Sequence, residues 1–591
     1  MPDTSLPHTE AHEGAADSPI TQLEQVDRAP AARQPWWRQA VFYQIYPRSF
    51  QDTSRNGVGD LPGITERLDY LKGRPDSLGI DAIWLSPFYP SPMKDFGYDV
   101  SDYTDVDPRF GTMEDFRELI REAHSRGIRV IIDLVLNHSS DQHSWFKEAR
   151  SSRNDPKHDW YIWHPGLPRR IPCLRGRLRP RRPSNWLSSF EVRNAWHWNE
   201  ATKEYYLGTF TRHQPEFNWR NRELRNAMYD VMRFWLDEGV DGFRLDVINW
   251  FIKDDQFRNN PHSFRLTPDL FQKHIYDRNR PETHQICREM RALADSYGDR
   301  LLVGEVFHDD PELASSYHGE ENDELHLAFN FEFLFQPWNA RRFARAAKRW
   351  YQVLPKGAWP NFTLSNHDQK RHISRYAFGR HTDNRARIAA AMLLTVKGTP
   401  FLYYGEEIGM RNRPIPRQQL QDPLGRRTWP FPFGRDGERT PMQWSPRRHG
   451  GFSRVAPWLP LHPDYRERNV ESQIRDPDSL LAFYRRVIAL RRSHPALLSG
   501  EFTIVCEGRR NVLAYLRECP EERILVVLNF APWRRTVALG RDVAPATILL
   551  GTHREADVDL DATALTLAGH EVIIARVAAV TPPVTGRQGR S

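Results

Sequence analysis

The chain has 591 residues, of which 39% are hydrophobic and 27% charged, a balance typical of a globular protein with a large core. Its 83 basic and 76 acidic residues leave a formal charge of +7, which argues against a nucleic-acid-binding protein with a concentrated basic face. No stretch approaches the roughly 20 consecutive apolar residues that a membrane span needs. We therefore expect neither nucleic acid nor a membrane as a partner.

A polar segment, residues 1–33, precedes the first predicted strand. It lacks the basic start and the apolar core of a secretory signal, so we expect a disordered tail and a cytoplasmic protein. The chain has four cysteines with neither zinc-ligand spacing nor the density of a disulfide framework: Cys173, Cys287, Cys506 and Cys519. We expect all of these thiols to be reduced.

Eight short runs of strand-forming residues follow along the chain, and helical patterns separate them. The predicted strands are Ala40–Pro47, Asp81–Phe88, Arg129–His138, Gly242–Ile248, Arg300–Phe307, His326–Leu334, Asn361–Asp368 and Thr399–Met410. Alternating strands and helices predict an α/β fold with a parallel sheet, and the count of eight favours a closed (β/α)8 barrel, also called a TIM barrel.

Two regions interrupt the alternation. Residues 139–218 lie between the third strand and the next helix and are too many for an ordinary loop, so we predict a small inserted domain. From residue 500 to residue 591, β-rich runs succeed one another without long helices, which predicts a C-terminal antiparallel β-domain. The barrel is thus predicted over residues 34–138 and 219–499.

Three carboxylates end predicted barrel strands: Asp246 the fourth, Glu305 the fifth and Asp368 the seventh. Barrel enzymes carry their chemistry at these strand ends. Cleavage of a glycosidic bond with retention needs two carboxyl groups about 5–5.5 Å apart, one to attack and one to protonate the leaving oxygen. One such carboxylate alone is equally explained as a helix cap or half of an ion pair. Three at matching positions, each with Arg or His nearby, predict a site for this chemistry.

Five motifs in order resemble those of the α-amylase superfamily, and in particular its oligo-1,6-glucosidase and α-glucosidase branch. They are DLVLNH (Asp133–His138), QPEFNW (Gln214–Trp219), GFRLDVI (Gly242–Ile248), GEVF (Gly304–Phe307) and SNHD (Ser365–Asp368). The resemblance covers the chain from about residue 34 to the C-terminal domain. It implies a retaining glycosidase in which Asp246 is the nucleophile, Glu305 the acid/base and Asp368 the transition-state stabiliser.

Other residues of these motifs are expected to support the carboxylates. Arg244 lies two positions before Asp246, so both side chains point to the same face of the strand, and Arg244 is expected to keep Asp246 ionised. His138 and His367 are similar to the superfamily's hydroxyl-binding histidines. The alternative for each histidine is a satisfied residue of the core.

Two further motifs bear on where the substrate ends. In the enzymes that GYDVSDY (Gly97–Tyr103) and GERTPMQW (Gly437–Trp444) resemble, a tyrosine stacks on the terminal glucose, and an aspartate and an arginine close the pocket around it. The matching residues here are Tyr98, Asp99 and Arg439. A closed end implies exo-action, one glucose at a time. The alternatives are ordinary packing for Tyr98 and a loop ion pair for Asp99 and Arg439.

Three residues bear on the linkage and on the next subsite. Val247 directly follows Asp246, and in this branch a valine there accompanies α-1,6 activity, whereas a threonine accompanies a strict α-1,4 preference. Phe210 and Gln214 are expected to line the neighbouring subsite. The resemblance therefore leaves α-1,4 and α-1,6 linkages both open.

The segment DTSRNGVGD, residues 52–60, follows the first predicted strand and is similar to a superfamily ion-binding loop. Its candidate ligands for a structural Ca²⁺ or Mg²⁺ are Asp52, Ser54, Asn56, Val58 and Asp60. Ser54 and Asn56 stand where the superfamily pattern has Asn and Asp, and Arg55 adds a positive charge, so affinity should be weakened. No cofactor is expected to take part in the chemistry.

The segment RRIPCLRGRLRPRRP, residues 169–183, departs most from the superfamily, which has a short polar loop there. It contains seven arginines. A solvated basic insert, a patch for an acidic ligand and a local reading-frame slip each explain this composition.

The best overall interpretation is an exo-acting α-glucosidase that acts on small oligosaccharides as a monomer or homodimer. An α-glucosyl transferase or isomerase, such as a trehalose synthase or sucrose isomerase, shares the carboxylates and is the first alternative. The motif HQPEFNW and the absence of an Arg-Leu-Asp-Arg-Asp loop after Asp368 favour hydrolysis. A non-catalytic amylase-fold heavy chain of a transporter is the second alternative, although such chains have a membrane span and lack the carboxylates.

Overall fold

The computed structural model describes residues 34–168, 179–263, 272–308, 310–379, 382–507 and 511–578. The predicted tail and residues 169–178 of the arginine-rich segment lie outside these ranges. No helix of the described residues is long and apolar enough to cross a membrane.

Eight parallel strands form a nearly closed barrel, as predicted. They are Phe42–Ile45, Ala82–Leu85, Arg129–Leu134, Gly242–Leu245, Leu301–Gly304, Leu327–Ala328, Asn361–Thr363 and Thr399–Tyr403. The hydrogen-bonded ladders join the strands in sequence order, and the eighth strand pairs with the first. The sixth and seventh strands stand at the two ends of this order. The carboxyl ends of all eight strands therefore meet at one mouth.

The sixth strand is much shorter than the predicted run His326–Leu334. Only Leu327–Ala328 is a strand, and Phe331–Leu334 begins a helix instead. The reason is local, because the Asn330 side chain accepts a hydrogen bond from the Phe333 amide and so caps that helix. This cap outweighs the strand propensity of the aromatic residues in Phe331–Leu334.

Helices surround the barrel. Their bounds are Trp36–Gln39, Leu61–Glu66, Leu68–Leu71, Met113–Ser125, Ser144–Ala149, Arg222–Asp237, Glu282–Asp295, Pro311–Ser316, Phe331–Leu334, Ala340–Val353, His372–Arg375, Thr382–Thr395, Pro423–Thr428, Val470–Gln473, Leu480–Ser493 and Pro495–Ser499. Met113–Ser125 starts at a capping box in which Thr112 and Asp115 exchange hydrogen bonds, and it buries Phe116 and Leu119.

The long segment after the third strand carries its own antiparallel sheet, made of Trp163–His164, Trp196–Asn199 and Glu204–Leu207. A bridge between His138 and Glu216 ties the two ends of this segment together directly above the third strand. The described residues of this segment, 139–168 and 179–218, therefore lie beside the barrel mouth and can form one wall of a pocket there.

The C-terminal region is an antiparallel sheet of six strands with a two-stranded sheet beside it. The six are Glu501–Glu507, Val512–Glu518, Arg523–Asn529, Ala546–Gly551, Asp559–Leu560 and Val572–Val577, and the two are Arg535–Val537 and Leu565–Leu567. Helices Ala340–Val353 and Thr382–Thr395 of the barrel contact this sheet. Residues such as Tyr515 and Val526 extend the main hydrophobic core into it.

Candidate active site

Two carboxylates continue neighbouring barrel strands into the mouth. The Asp246 amide donates to the Leu134 carbonyl at 3.1 Å, and the Glu305 amide donates to the Leu245 carbonyl at 2.9 Å. The ladder thus sets both side chains at adjacent strand ends, as predicted. Asp368 follows the seventh strand and reaches the same charged cluster. Asp246 and Glu305 are buried, which removes water that would otherwise screen their charges, whereas the Asp368 side chain is 27% exposed.

One guanidinium holds the first two carboxylates. Arg244 donates from Nη1 to Oδ1 of Asp246 at 2.8 Å, and its Nη2 donates to Oε2 of Glu305. The same Nη1 also donates to Oδ1 of Asp133 at 2.7 Å. Arg244 is 1% exposed. A fixed, buried cation between two carboxyl groups sets both their spacing and their orientation.

The two carboxyl groups titrate together. Burial raises the pKa of Asp246, and the nearby charge of Glu305 raises it further, whereas Arg244 opposes both. Burial also raises the pKa of Glu305, again against Arg244. Two close carboxyls in a buried site resist double ionisation, so the pair retains a proton to higher pH than either group alone would. One acid and one base are therefore available in the same place.

The third carboxylate remains ionised. Burial alone would raise the pKa of Asp368, but His367, Arg435 and Arg439 outweigh burial and hold that pKa below its usual range. Arg439 donates from Nη2 to Oδ1 of Asp368 at 2.5 Å, and Arg435 donates from Nη1 to the same oxygen at 3.2 Å. A permanently charged carboxylate suits the binding of hydroxyl groups.

Arg439 has spare hydrogen-bonding capacity. Its Nε donates to the His367 carbonyl at 2.8 Å and its Nη2 serves Asp368, but its Nη1 is buried with no partner among the described residues. An unsatisfied buried donor is costly unless a ligand pairs with it. The predicted role of Arg439 at the substrate's terminal glucose stays a prediction, and this free donor supports it.

Tyr98 and His367 form a rigid wall. Their rings are parallel with centroids 5.3 Å apart, and the Tyr98 hydroxyl lies 2.6 Å from Nε2 of His367. That hydroxyl also donates to Oδ2 of Asp133 at 2.9 Å. Asp133, which sequence reasoning did not assign to the site, therefore joins Tyr98 to Arg244. Its position in the DLVLNH motif was the available signal.

The structure does not bring Asp99 into the pocket. Its carboxylate is fully buried and accepts hydrogen bonds from the Ser91 hydroxyl and from the amides of Lys94 and Asp95, all in its own loop. These donors hold both carboxylate oxygens toward the loop of Asp99 itself, so the geometry does not support a direct contact between Asp99 and the substrate. The side chain holds the loop in shape instead.

Asp95, four residues earlier, takes the place expected of Asp99. Its carboxylate accepts hydrogen bonds from Nη2 of Arg435 at 2.7 Å and from the side-chain Nε2 of Gln214 at 3.1 Å. Arg435 also contacts Asp368, so Asp95 belongs to the same network as the catalytic candidates. Sequence reasoning missed Asp95 and Arg435. The signal was present, because each lies four positions before a residue that was chosen, Asp99 and Arg439 respectively.

The inserted segment supplies an apolar wall. Phe210 packs on His138 at 5.2 Å and on Trp250 at 5.6 Å between ring centroids, and Val247 belongs to the same cluster. Gln214 lies 3.1 Å from Nε2 of His138. Phe210, Gln214, His138 and Val247 are therefore neighbours at the mouth, as the predicted subsite requires.

Val247 has a strained backbone. Its φ of 37° and ψ of 46° lie in the left-handed region, which branched side chains rarely adopt. Its carbonyl accepts from the Trp250 amide at 2.9 Å, which fixes the turn directly after Asp246. Strain of this kind marks positions that the surrounding structure fixes for function.

The loop of residues 52–60 does not offer its carboxylates to a cation. The oxygens of Asp52 accept from the amides of Arg55 and Gly57 and from the Ser453 hydroxyl. Those of Asp60 accept from the amides of Thr53, Ser54 and Gly63 and from the Thr53 hydroxyl. Since N–H and O–H donors occupy all four carboxylate oxygens, this arrangement does not fit Ca²⁺ or Mg²⁺.

The arginine-rich segment is described only from Arg179 onward. The Leu167 amide donates to the Arg181 carbonyl at 2.7 Å, and the Arg181 amide returns the bond at 2.9 Å. Arg179 pairs with Glu200. These contacts tie the end of the segment to the inserted sheet. The basic insert, the patch for an acidic ligand and the reading-frame slip each remain an explanation of its composition.

Comparisons with known proteins show similarity over most of the chain. The model of the α-amylase catalytic domain matches residues 44–500. A probable α-glucosidase of Rhizobium meliloti (strain 1021) is 44% identical over 84% of this chain and 89% of the relative. An oligo-1,6-glucosidase of Halalkalibacterium halodurans is 40% identical over 84% and 90%. The crystal structure of the α-glucosyl transfer enzyme XgtA is similar at a TM-score of 0.85 and 38% identity, covering 92% of this chain and 100% of that one.

Proposed function

The chain belongs to the α-amylase family, and we propose that it is an exo-acting, retaining α-glucosidase that releases terminal α-linked glucose from short oligosaccharides. The linkage cleaved is α-1,4, α-1,6 or both. The observation that carries this proposal is the single guanidinium of Arg244 on both Asp246 and Glu305. Double displacement at an anomeric carbon requires two closely spaced carboxyl groups, and a guanidinium bonded to both holds this pair close together.

In the first step a carboxylate oxygen of Asp246 attacks the anomeric carbon, and the bond to the leaving oxygen breaks. Glu305 transfers its proton to that oxygen, so the leaving sugar departs neutral. In the second step Glu305, now ionised, takes a proton from water, and the resulting oxygen displaces Asp246 from the glucosyl group. Glucose leaves with its α-configuration retained, and both carboxyls return to their starting states.

Exo-action follows from the charged network at one end of the site. Asp95, Arg435, Asp368 and Arg439 link the loop after the second strand to the loops after the seventh and eighth. We infer that this network closes the site beyond the terminal glucose, so that a longer chain cannot extend past it. All four members have hydrogen-bonding groups suited to that sugar's hydroxyls.

Glucosyl transfer is the second candidate activity. The 38% identity to an α-glucosyl transfer enzyme favours it, and the apolar wall of Phe210, Val247 and Trp250 could position an acceptor sugar in place of water. Both outcomes pass through the same glucosyl-enzyme. A product profile on maltose, isomaltose, sucrose and trehalose distinguishes glucose release from new disaccharides.

The proposed setting is the cytoplasm, and the proposed unit is a monomer or homodimer. Cys287, Cys506 and Cys519 are free thiols, which suits a reducing compartment. No cofactor is proposed for the chemistry.

The roles of the two carboxyls are tested with aryl α-glucosides of different leaving groups. Glu305→Gln should keep measurable activity on 4-nitrophenyl α-glucoside and lose it on maltose, because an acidic leaving group needs little protonation. Asp246→Asn should be inactive on both. Identical dependence of the two variants on the leaving group would contradict the assignment.

A further inference from the structure

A second cleft lies where the barrel meets the C-terminal sheet. It has a volume of about 520 Å³, and its lining includes Trp338, Phe378, Arg385, Asn511, Trp533 and His570. None of these residues contributes to the carboxylate site described above. The floor is firmly packed, because the Trp338 indole donates to the Phe530 carbonyl at 3.0 Å and the two rings lie 4.5 Å apart.

Two aromatic rings in this cleft are exposed yet held in place. Phe378 is 53% exposed and Trp533 is 57% exposed. The Arg385 guanidinium lies 3.8 Å from the centre of the Phe378 ring, and that of Arg535 lies 5.1 Å from the Trp533 ring. The Asn529 amide also donates to the Trp533 carbonyl at 3.1 Å. Cation–π contacts support each ring and leave apolar surface open to solvent.

Arg385 has an unused donor in the same cleft. The residue is 4% exposed, and its Nη1 donates to the Tyr376 carbonyl at 3.1 Å and to the Phe378 carbonyl. Its Nε is buried without a partner, and within the described ranges no carboxylate pairs with this guanidinium. Nε has almost no accessible surface, whereas Nη2 donates no hydrogen bond among the described residues and is the donor that an acceptor on a ligand can reach.

We propose that this cleft is a second carbohydrate-binding site, which holds a glucose chain at a distance from the reacting bond. The C–H faces of pyranose rings are apolar and flat, so they match the open surfaces of Trp533 and Phe378. Ring hydroxyls supply an acceptor for Nη2 of Arg385, and Asn511 adds a polar group to the lining. Exposed apolar surface that is contiguous and rimmed by polar residues is one mark of a ligand-binding groove.

The test is native gel electrophoresis with soluble starch in the gel matrix. The wild-type chain should migrate more slowly with starch than without it, relative to a marker protein that does not bind starch. Trp533→Ala should lose this retardation, and Trp533→Phe should restore most of it because a flat ring returns. Trp429→Ala is the matched control, since Trp429 is 49% exposed but lies outside the cleft.

The variants must keep their catalytic site for the test to be specific. Hydrolysis of 4-nitrophenyl α-glucoside should be unchanged in Trp533→Ala, Trp533→Phe and Trp429→Ala. Full retardation of Trp533→Ala, or none in the wild type, would overturn the second site. The second site would also be overturned if the wild type sedimented as a dimer and Trp533→Ala as a monomer, because that result would show that a second copy of the chain covers the cleft. Failure of the α-glucosidase proposal would appear separately, as a wild type inactive on the aryl glucoside.

Discussion

Arg439 donates from Nη2 to Asp368 at 2.5 Å, while its Nη1 is buried without a partner among the described residues. We expect that Nη1 to bind a hydroxyl of the terminal glucose. Arg439→Lys keeps a charge but cannot serve Asp368 and the sugar together. It should reduce kcat/KM on short oligosaccharides by about 100-fold, which corresponds to about 2.7 kcal/mol of transition-state stabilisation.

The matched control for the Arg439→Lys variant is Arg454→Lys at an exposed position, which should leave kcat/KM unchanged.

Soluble starch should be a poor substrate for the wild type, with glucose as the first product from short oligosaccharides. Early release of maltotriose from long chains would contradict the closed pocket.

Val247 tests the linkage. Val247→Thr adds a hydroxyl at almost constant shape, and because both side chains are branched the strained backbone is affected equally. We expect wild-type hydrolysis of isomaltose, and a lower ratio of isomaltose to maltose activity in the variant, by about 1–2 kcal/mol of differential stabilisation. Val247→Ala, which adds no polarity, is the control. A wild type that is fast on maltose and inert on isomaltose would contradict this prediction.

Glu407 should make stability depend on pH. It is buried and accepts from the hydroxyls of Tyr43 at 2.8 Å and Tyr70 at 2.6 Å, and burial raises its pKa to about 7. Because the folded pKa exceeds the unfolded one, the stability that its proton provides is complete below about pH 4.5 and is lost as pH rises through about 7. The loss is on the order of 3 kcal/mol.

Glu407→Gln cannot ionise, so it should gain thermal stability relative to the wild type between pH 5 and pH 8. The thermal midpoints of both proteins at the two pH values measure this. Exposed Glu320→Gln is the control and should show no such gain. A constant difference between Glu407→Gln and the wild type across pH would refute the assignment.

The loop of residues 52–60 should not depend on a metal. Its carboxylates are fully used by internal donors, so dialysis against a chelator should leave the thermal midpoint unchanged. Ser453→Ala removes the hydroxyl that donates to Asp52 at 2.5 Å, and it should lower the midpoint with or without chelator. A chelator-induced fall that added Ca²⁺ reverses would show that the loop rearranges around an ion.

The barrel and its three carboxylates could be predicted because strand runs and strand-end residues are local features of the chain. The choice between Asp95 and Asp99 could not. Both lie in one loop where Met93, Phe96 and Gly97 adopt positive φ values of 59°, 51° and 108°. The backbone conformation of these residues decides which carboxylate faces Arg435. That conformation depends on packing against distant loops and cannot be read from sequence spacing.

Arg244 could be predicted as a residue of the site, because it lies two positions before Asp246 on the same strand, whereas no sequence feature predicted the role of Arg371. Arg244 contacts the carboxyl pair. Arg371 donates to the carbonyls of Tyr404 and Glu438 and packs on the Tyr403 ring. The three-dimensional arrangement shows that Arg371 holds loops beside the site, because its partners are backbone carbonyls distant in sequence.

The most direct test of the central claim is to trap the glucosyl-enzyme. The wild type is incubated with 5-fluoro-α-glucosyl fluoride, digested with pepsin, and the peptides are analysed by mass spectrometry. The account predicts one added fluoroglucosyl group, on the peptide that contains Asp246 and at that residue, and none in Asp246→Asn. A group attached to Glu305 or Asp368, with Asp246 unmodified, would contradict it.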